Sequence, residues 1–251
     1  MMDLEFSGRR AVVTGGARGI GRRIAERLLS EGAEVAFCAR DAAAAERTAS
    51  ELGQVGRARG WACDMNDGPA TRAWLDEAAD WLGGCDLFVH NASAGGGGGE
   101  EQWRRNFEVD LMGAVRGMEQ LAPRLEERGG AAVFIVSVAA LEAFPFVQPY
   151  NALKASLIVY AKQLSQQLAP KGVRLNCVSP GSTLYPGSSW ERHKTERPAY
   201  YESVISSMPS GRLGQIDEIV DPVLFLLSPR ASWITGINVI VDGGQTKRVS
   251  L

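Results

Sequence analysis

The chain has 251 residues, of which 45% are hydrophobic and 22% charged, a composition typical of a globular protein rather than a disordered or collagen-like one. Its 27 Lys and Arg against 29 Asp and Glu give a net charge of −2, so no basic field is available to hold nucleic acid or an anionic membrane. The longest nearly apolar run, residues 131–141, is about half the length of a membrane span, and residues 1–10 contain no apolar stretch of the secretory type. We therefore expect a cytoplasmic protein whose partners include neither nucleic acid nor a membrane.

Short β-branched runs alternate with longer stretches of helical periodicity along the whole chain. The runs predict strands at residues 9–15, 34–39, 57–63, 86–90, 132–138, 173–178 and 237–241. The periodic stretches predict helices at residues 20–31, 42–52, 69–82, 102–127, 150–168 and 216–227. Continuously apolar strands that alternate with helices indicate an α/β fold of the Rossmann type, a doubly wound parallel sheet of about seven strands with helices on both faces. Because no repeat or linker interrupts the pattern, we expect one domain over 1–251, with a cofactor half at about 1–130 and a catalytic and substrate-loop half at about 131–251.

Cysteine and histidine are sparse and scattered. The four cysteines have no CxxC spacing, and neither of the two histidines, His90 and His193, has a partner at ligand spacing. We expect free, mostly buried thiols and no zinc or iron site.

A glycine-rich turn, TGGARGIG at residues 14–21, joins the first predicted strand to the first helix. Gly15, Gly19 and Gly21 permit a tight turn and a close approach of the backbone to a pyrophosphate, which the helix N-terminus would bind through its free N–H groups. The spacing differs from the GxGxxG of long-chain dehydrogenases, and the absence of a following GK[ST] disfavours a Walker loop. Taken alone, the turn is compatible with a phosphate site and with a purely structural turn.

The second predicted strand ends in Ala39, Arg40 and Asp41. In a dinucleotide fold this strand end meets the adenosine ribose, where an acidic side chain binds the 2′-hydroxyl of NAD. A small residue followed by a guanidinium suits a 2′-phosphate instead, and Arg18 in the glycine turn offers a second cation. We therefore predict that NADP(H) is favoured over NAD(H); the alternative is that both arginines are solvated surface charges.

Tyr150 and Lys154 stand four residues apart in a predicted helix, so their side chains share one face. A phenol is a weak acid at neutral pH, and a nearby ammonium stabilises its phenolate form. Ser137 lies at the end of the fifth predicted strand, the edge at which open parallel sheets bind ligands. A lone Tyr-x-x-x-Lys is a common pattern, but together with Ser137 and the glycine turn it predicts a catalytic site.

These motifs together resemble the short-chain dehydrogenase/reductase family over nearly the whole chain. TGGARGIG is similar to the family's TGxxxGIG, and HNAS at 90–93 to the NNAG that steadies the central strand. RLNCVSPG at 174–181 resembles the segment along the nicotinamide, and GRLGQIDEI and WITGINVIVDGG resemble the two C-terminal signatures. Ser137, Tyr150 and Lys154 match the catalytic trio. Within the family, the chain looks similar to members of the 3-oxoacyl-[acyl-carrier-protein] reductase type.

The resemblance implies an NADP(H)-dependent oxidoreductase that interconverts a ketone or 3-oxoacyl carbonyl and a secondary alcohol. Tyr150 would exchange a proton with the substrate oxygen, Lys154 would bind the nicotinamide ribose and activate the tyrosine, and Ser137 would hydrogen-bond the carbonyl. The alternatives are an NADP(H)-binding regulator or scaffold without turnover, and an isomerase or dehydratase of the same fold. Cofactor contacts are expected from Gly15, Ala17, Arg18, Gly19, Ile20, Gly21, Arg40, Asp64, Met65, Asn91, Ala92, Tyr150, Lys154, Pro180, Gly181 and Thr183.

Three positions depart from the family pattern. Asp110 replaces an asparagine that holds a water in the proton relay to the lysine; we count Asp110 among the catalytic residues and expect retained activity with an altered pH profile. Leu184 stands where we expect the family's threonine after SPG, so Thr183 would take over the carboxamide contact. Ser93 replaces the glycine of NNAG, ahead of a run of five glycines at 95–99 that either shapes the pocket mouth or is a plain connector.

The predicted pocket wall is bulky and favours an apolar or acyl-bearing carbonyl compound over a sugar, although loop aromatics can equally cover the core. Arg128 and Lys171 resemble basic positions that meet acyl carrier protein, so a carrier-protein or CoA thioester is a further candidate; isolated basic residues at helix ends also serve as dipole complements. By resemblance we expect a homotetramer or homodimer with helices 102–127 and 150–168 at one interface. The residues assigned to the pocket are Ser93, Phe144, Phe146, Gln148, Tyr185 and Trp190.

Overall fold

The computed structural model describes residues 3–144 and 146–247 of the chain. The strands in this part are β1 (Arg10–Val13), β2 (Glu34–Ala39), β3 (Ala58–Ala62), β4 (Leu87–His90), β5 (Ala131–Ile135), β6 (Arg174–Pro180), β7 (Thr183–Leu184), β8 (Gly214–Gln215) and β9 (Asn238–Val241). Seven of them form one parallel sheet in the order β3-β2-β1-β4-β5-β6-β9, and β7 pairs with β8 in a short ladder beside it.

The α-helices of the described residues connect these strands. They are α1 (Gly19–Ser30), α2 (Ala42–Leu52), α3 (Gly68–Leu82), α4 (Glu100–Asn106), α5 (Gly113–Glu126), α6 (Pro149–Leu168), α7 (Ser189–Glu196), α8 (Pro198–Ser207) and α9 (Ile216–Leu227). A π-helical segment, Phe107–Met112, joins α4 to α5.

Helices cover both faces of the sheet. On one face, α3, α5 and α6 bury leucines such as Leu75, Leu121 and Leu157; on the other, α1, α2 and α9 bury residues such as Ile24 and Leu224. The strand order reverses between β1 and β4, and in open parallel sheets ligands bind at the carboxyl ends of the strands beside such a reversal. The predicted doubly wound α/β fold with a seven-stranded parallel sheet is confirmed.

The predicted helix 102–127 is not continuous. It is divided by the π-helical segment, in which one extra residue per turn shifts the backbone hydrogen bonding. At Gly113 the chain passes so close to His90 that an added Cβ would stand 3.0 Å from the His90 Cε1 atom. The helix therefore packs tightly against the end of β4, and this brings Asp110 to the carboxyl edge of the sheet.

The fifth strand is shorter than predicted. It ends at Ile135, so Ser137 lies two residues beyond it and begins a single 3₁₀ turn, where its Oγ accepts a hydrogen bond of 3.1 Å from the Ala139 N–H.

Candidate active site

Tyr150 and Lys154 occupy the first two turns of α6. Pro149 is tolerated at the start of this helix because its missing N–H has no intrahelical partner there. Tyr150 is half-buried, and among the described residues its hydroxyl has no hydrogen-bond partner. The phenol is therefore available to a group that enters the cleft.

The Lys154 ammonium is buried and held on two sides. Its Nζ donates a hydrogen bond of 2.8 Å to the Ile135 carbonyl and lies 3.2 Å from Asp110 Oδ1. The Lys154 and Asp110 side chains are 2% and 0% exposed. Lys154 Nζ also lies 5.8 Å from the centroid of the Tyr150 ring. Burial of one charge is thus compensated by the other, and both stand next to the tyrosine.

The two carboxylate oxygens of Asp110 have different surroundings. Oδ2 accepts hydrogen bonds of 3.0 Å from the Ala94 N–H and the Asn106 side-chain amide. Oδ1 faces Lys154 at ion-pair distance, but without the alignment of a hydrogen bond, and accepts none from the described residues. The carboxylate is therefore anchored through one oxygen, while the other compensates the ammonium.

His90 connects Asp110 to the phosphate turn. Its Nε2 lies 2.9 Å from the Asp110 main-chain oxygen and its Nδ1 3.3 Å from Thr14 Oγ1. Because a carbonyl can only accept, Nε2 carries the proton, and the Thr14 hydroxyl donates to Nδ1. Thr14 Oγ1 in turn accepts from the N–H groups of Asn91 and Ala92, at 2.9 and 3.0 Å.

Burial keeps this histidine neutral. It lowers the pKa of His90 to about 4, and the positive charge of Lys154 acts in the same direction. A neutral ring with one donor and one acceptor satisfies both neighbours. The sequence pattern placed His90 only in the motif that steadies the central strand and did not identify Asn106, for which the signal was its spacing of four residues from Asp110.

The side chain of Asn91 holds the glycine turn through two hydrogen bonds. The Asn91 side-chain amide donates to the carbonyls of Thr14 and Gly15, each at 3.1 Å. A Cβ on Gly15 or Gly21 would stand 3.0 or 2.4 Å from this amide nitrogen, so both positions require glycine. The predicted cofactor residue Asn91 thus shapes the turn.

The N-terminus of α1 has no side-chain cap among the described residues. Arg18 at the cap position makes no side-chain capping bond, and the first turn has no acidic residue. The next two helices are instead capped by Asp41 and Asp67. The first N–H groups of α1 and the positive end of its dipole therefore have no side-chain acceptor, as a phosphate site requires.

At the adenosine end, Arg18 and Arg40 are exposed, and neither has a carboxylate partner within residues 3–144 and 146–247. Asp41, the acid nearest to them in sequence, accepts the Ala44 N–H at 2.8 Å. Asp64 is also exposed, with Oδ1 accepting the Asn66 N–H at 3.0 Å, and Met65 beside it is buried.

The segment predicted to lie along the nicotinamide, residues 174–181, forms strand β6 up to Pro180. Thr183 is buried in β7, and its hydroxyl donates to the Gly181 carbonyl at 3.0 Å.

Four of the predicted pocket residues lie in the segments after β4 and before α6. Ser93 Oγ accepts the Gly95 N–H at 3.1 Å, and Phe144 and Phe146 are exposed. A Cβ on Gly96 would stand 2.8 Å from Gln148 Oε1, so the glycine run lies over the start of α6.

The other two predicted pocket residues have different neighbours. Trp190 stacks on Tyr200 of α8, with ring centroids 5.8 Å apart, and so ties α7 to α8. Tyr185 lies against Gly19 of the phosphate turn.

The two basic positions assigned to a carrier protein carry ion pairs. Lys171 Nζ lies 2.8 Å from Glu126 Oε1, and Arg128 Nε lies 3.4 Å from Asp86 Oδ1. Asp86 directly precedes β4, so Arg128 is at the amino edge of the sheet, opposite to Tyr150.

Within residues 3–144 and 146–247, no three His, Cys, Asp or Glu side chains converge as a metal site. No helix there is both long and apolar enough to cross a bilayer.

Comparison with known proteins gives the family. A family model described as Enoyl-(Acyl carrier protein) reductase matches residues 15–246. Isoepoxydon dehydrogenase of Aspergillus clavatus is 36% identical over 252 residues, which cover 97% of this chain and 97% of that protein. The chain belongs to the short-chain dehydrogenase/reductase family.

Solved structures agree in fold and differ in cofactor. L-sorbose reductase of Gluconobacter frateurii, complexed with NADPH and L-sorbose, superposes with a TM-score of 0.91 at 30% identity and covers 99% of this chain and 100% of its own. An NAD⁺-bound xylitol dehydrogenase superposes with a TM-score of 0.89 at 26% identity, covering 96% of this chain and 100% of its own. This fold thus binds a nicotinamide dinucleotide, and the choice between NAD and NADP depends on the residues around the adenosine ribose.

Proposed function

We propose that the protein is an NADP(H)-dependent oxidoreductase that interconverts a carbonyl compound and a secondary alcohol, with Tyr150 as the acid and base. The observation that carries the proposal is the pairing of a half-buried tyrosine, whose hydroxyl is free among the described residues, with the Lys154 ammonium 5.8 Å from its ring centroid. We further infer that residues 1–251 act as one domain, with a cofactor half at about 1–130 and a catalytic half at about 131–251.

The chain's residues fit a dinucleotide. The uncapped end of α1 and the glycines of its turn would receive the pyrophosphate, and Asp64 and Met65 would border the adenine. The dinucleotide supplies the hydride chemistry when it is bound. Lys154 donates one N–H to Ile135, and the remaining ammonium protons would bind the ribose hydroxyls.

In this proposal Tyr150 and the residues around it carry out the proton transfer. Ser137 would donate to the substrate oxygen, and Tyr150 would give that oxygen a proton in reduction or take it in oxidation. Asp110 would act through Lys154, since its Oδ1 lies 3.2 Å from the ammonium. The main-chain oxygen of Asp110 already accepts from His90, so the carboxylate is the group through which residue 110 affects the lysine.

Two features support NADP over NAD. Arg18 and Arg40 are exposed cations without carboxylate partners in the described part of the chain, so a 2′-phosphate would not displace an existing ion pair. The end of β2 carries Ala39 followed by Arg40, and Asp41 comes one residue later and caps α2 through Oδ1, so no acidic side chain stands at the strand end itself as in NAD enzymes.

The exposed rings of Phe144 and Phe146 support a substrate with an apolar part. A carrier-protein thioester has less support, because Arg128 and Lys171 are already paired with carboxylates. Self-association through 102–127 and 150–168 is supported by exposed apolar side chains on these helices, Trp103, Phe107 and Val159.

The test is a panel of cyclic ketones, ketoses and 3-oxoacyl thioesters, each followed by loss of NADPH absorbance and repeated with NADH. We expect stoichiometric consumption of NADPH with at least one class, and a rate lower by about 10²–10⁴-fold in Tyr150→Phe. Tight NADPH binding without turnover of any carbonyl would favour the regulator or scaffold. Conversion of a substrate without net NADPH consumption would favour an isomerase or dehydratase.

A further inference from the structure

Tyr185 stands in the cleft that the dinucleotide needs. If a Cβ is built on Gly19, the nearest side-chain atoms are Cε2, Cζ and the hydroxyl oxygen of Tyr185, at 2.9, 3.3 and 3.4 Å. Gly19 begins α1 with a φ of +54°, a left-handed backbone conformation that favours glycine. The ring is therefore in van der Waals contact with the turn.

A well-defined turn fixes the backbone that carries this ring. The Ser188 N–H donates to the Tyr185 carbonyl at 3.0 Å, with Pro186 and Gly187 between them and Gly187 at a φ of +78°. This is the arrangement of a type II β-turn. Ser188 Oγ then accepts the Glu191 N–H at 3.1 Å and caps α7. The ring can consequently leave Gly19 only by rotation of its own side chain or by movement of the whole turn.

The electrostatic surroundings of the ring agree with this place in the cleft. Burial raises the pKa of Tyr185, while the charge of Arg18 acts in the opposite direction and Tyr150 adds to the rise. The phenol lies against Gly19 of the phosphate turn, where the charges of Arg18 and Tyr150 act on it. Within the described residues its hydroxyl makes no hydrogen bond, so no polar contact opposes its displacement.

We propose that Tyr185 is the residue that controls entry of the dinucleotide, because its ring covers the phosphate turn and must rotate away before a pyrophosphate can reach the N–H groups of α1. Phosphate oxygens need direct access to these N–H groups, and a ring in contact with Gly19 leaves no space for them. This inference rests on the proposed dinucleotide binding and assigns Tyr185 to the cofactor site rather than to the substrate pocket.

The test compares Tyr185→Ala with Tyr185→Phe, which keeps the ring and removes only the hydroxyl. Calorimetric titration with NADP⁺ is expected to give a Kd roughly three- to tenfold lower in Tyr185→Ala than in the wild type, with a faster NADPH association rate in stopped-flow fluorescence. Tyr185→Phe is expected to keep the wild-type Kd and rate. Thermal unfolding of each variant checks that the fold is intact.

Adenosine 2′-monophosphate is the control ligand. It has no pyrophosphate, so its binding reports on the adenosine end of the cofactor site without the phosphate turn. Its Kd is expected to be equal in all three proteins. A Tyr185→Ala variant that binds NADP⁺ more weakly than, or as tightly as, the wild type overturns the proposal, and so does an equal gain for the monophosphate. If the wild type binds neither NADP⁺ nor NAD⁺, the proposed function itself fails; if it binds them without the expected effect, only the role of Tyr185 fails.

Discussion

At the catalytic end of the cleft, Lys154 and Asp110 are buried, 3.2 Å apart and surrounded by hydrogen-bond partners. At the adenosine end, Arg18 and Arg40 are exposed and have no carboxylate partner in the described part of the chain. The charges of the proposed catalytic end are thus compensated within the fold, whereas those of the proposed adenosine end have no carboxylate partner in the described part of the chain. This difference in burial and pairing predicts that removing a charge has different consequences at the two ends of the cleft. Loss at the catalytic end should affect chemistry or folding, and loss at the adenosine end should affect affinity alone.

The largest effect is expected from Tyr150→Phe, which removes one oxygen from the catalytic end. We expect kcat to fall by about 10²–10⁴-fold, because the substrate oxygen loses its proton donor. The Kd for NADPH, measured by fluorescence titration, should change by less than about twofold. A variant that retains turnover would refute the role of the phenol, and one that loses NADPH binding would show that the two ends are not separable.

Asp110→Ala tests the buried pair. It leaves the Lys154 ammonium buried without its carboxylate, and we expect the free energy of unfolding in urea at pH 7 to fall by about 3–5 kcal/mol. The matched control is Glu126→Ala, which breaks the more exposed pair with Lys171 and should cost less than about 1 kcal/mol. Equal losses in the two variants would contradict the distinction between buried and exposed charge.

Asp110→Asn addresses chemistry at the same position. It preserves the size of the side chain and removes its charge. If Asp110 acts through Lys154, the pH–rate profile of this variant should differ from that of the wild type. An unchanged profile would show that the carboxylate serves only the fold.

At the adenosine end, Arg40→Ala should raise the Kd for NADPH by about ten- to a hundredfold and leave the Kd for NADH and the unfolding free energy unchanged. The expected loss corresponds to one charge-assisted hydrogen bond to the 2′-phosphate, about 1.5–3 kcal/mol. Arg104→Ala is the control, since Arg104 is an exposed arginine on α4 that pairs with Glu100. Equal losses for NADPH and NADH would remove the basis of the proposed NADP preference.

Much of the fold was predictable from local patterns, because strands buried on both faces and helices with one apolar stripe leave strong periodic signals. The positions of β2, α2 and α9 match the structure residue for residue. The π-helical segment was not predictable, because the apolar periodicity of 102–127 carries no sign of shifted hydrogen bonds; in the structure the segment is followed by Gly113, which lies against His90, 23 positions earlier in the chain.

The site was predictable to the extent that its groups are adjacent in sequence or placed by strand ends. Tyr150 and Lys154 share a helix face by their spacing alone. The role of His90 required knowing which carbonyl faces its ring, and that carbonyl belongs to a segment 20 residues away. The loop pattern predicts Tyr185 in the substrate pocket, and in the structure its ring lies against Gly19; a loop pattern does not specify which wall of the cleft a side chain contacts.

His90 provides the smallest effect and a further test of the buried network. Its pKa is about 4 in the folded chain against an ordinary value of 6.5. In the unfolded chain the imidazole of His90 therefore binds a proton below pH 6.5, whereas in the folded chain it does so only below about pH 4. The stabilisation is complete above pH 6.5 and is lost as the pH falls through this interval, by about 2 kcal/mol between pH 7 and pH 5.

In urea unfolding at these two pH values, His90→Asn should lose stability on acidification by about 2 kcal/mol less than the wild type. If this variant responds to acid as the wild type does, His90 is not held neutral in the folded chain, and the hydrogen bonds from Thr14 through His90 to Asp110 need another assignment.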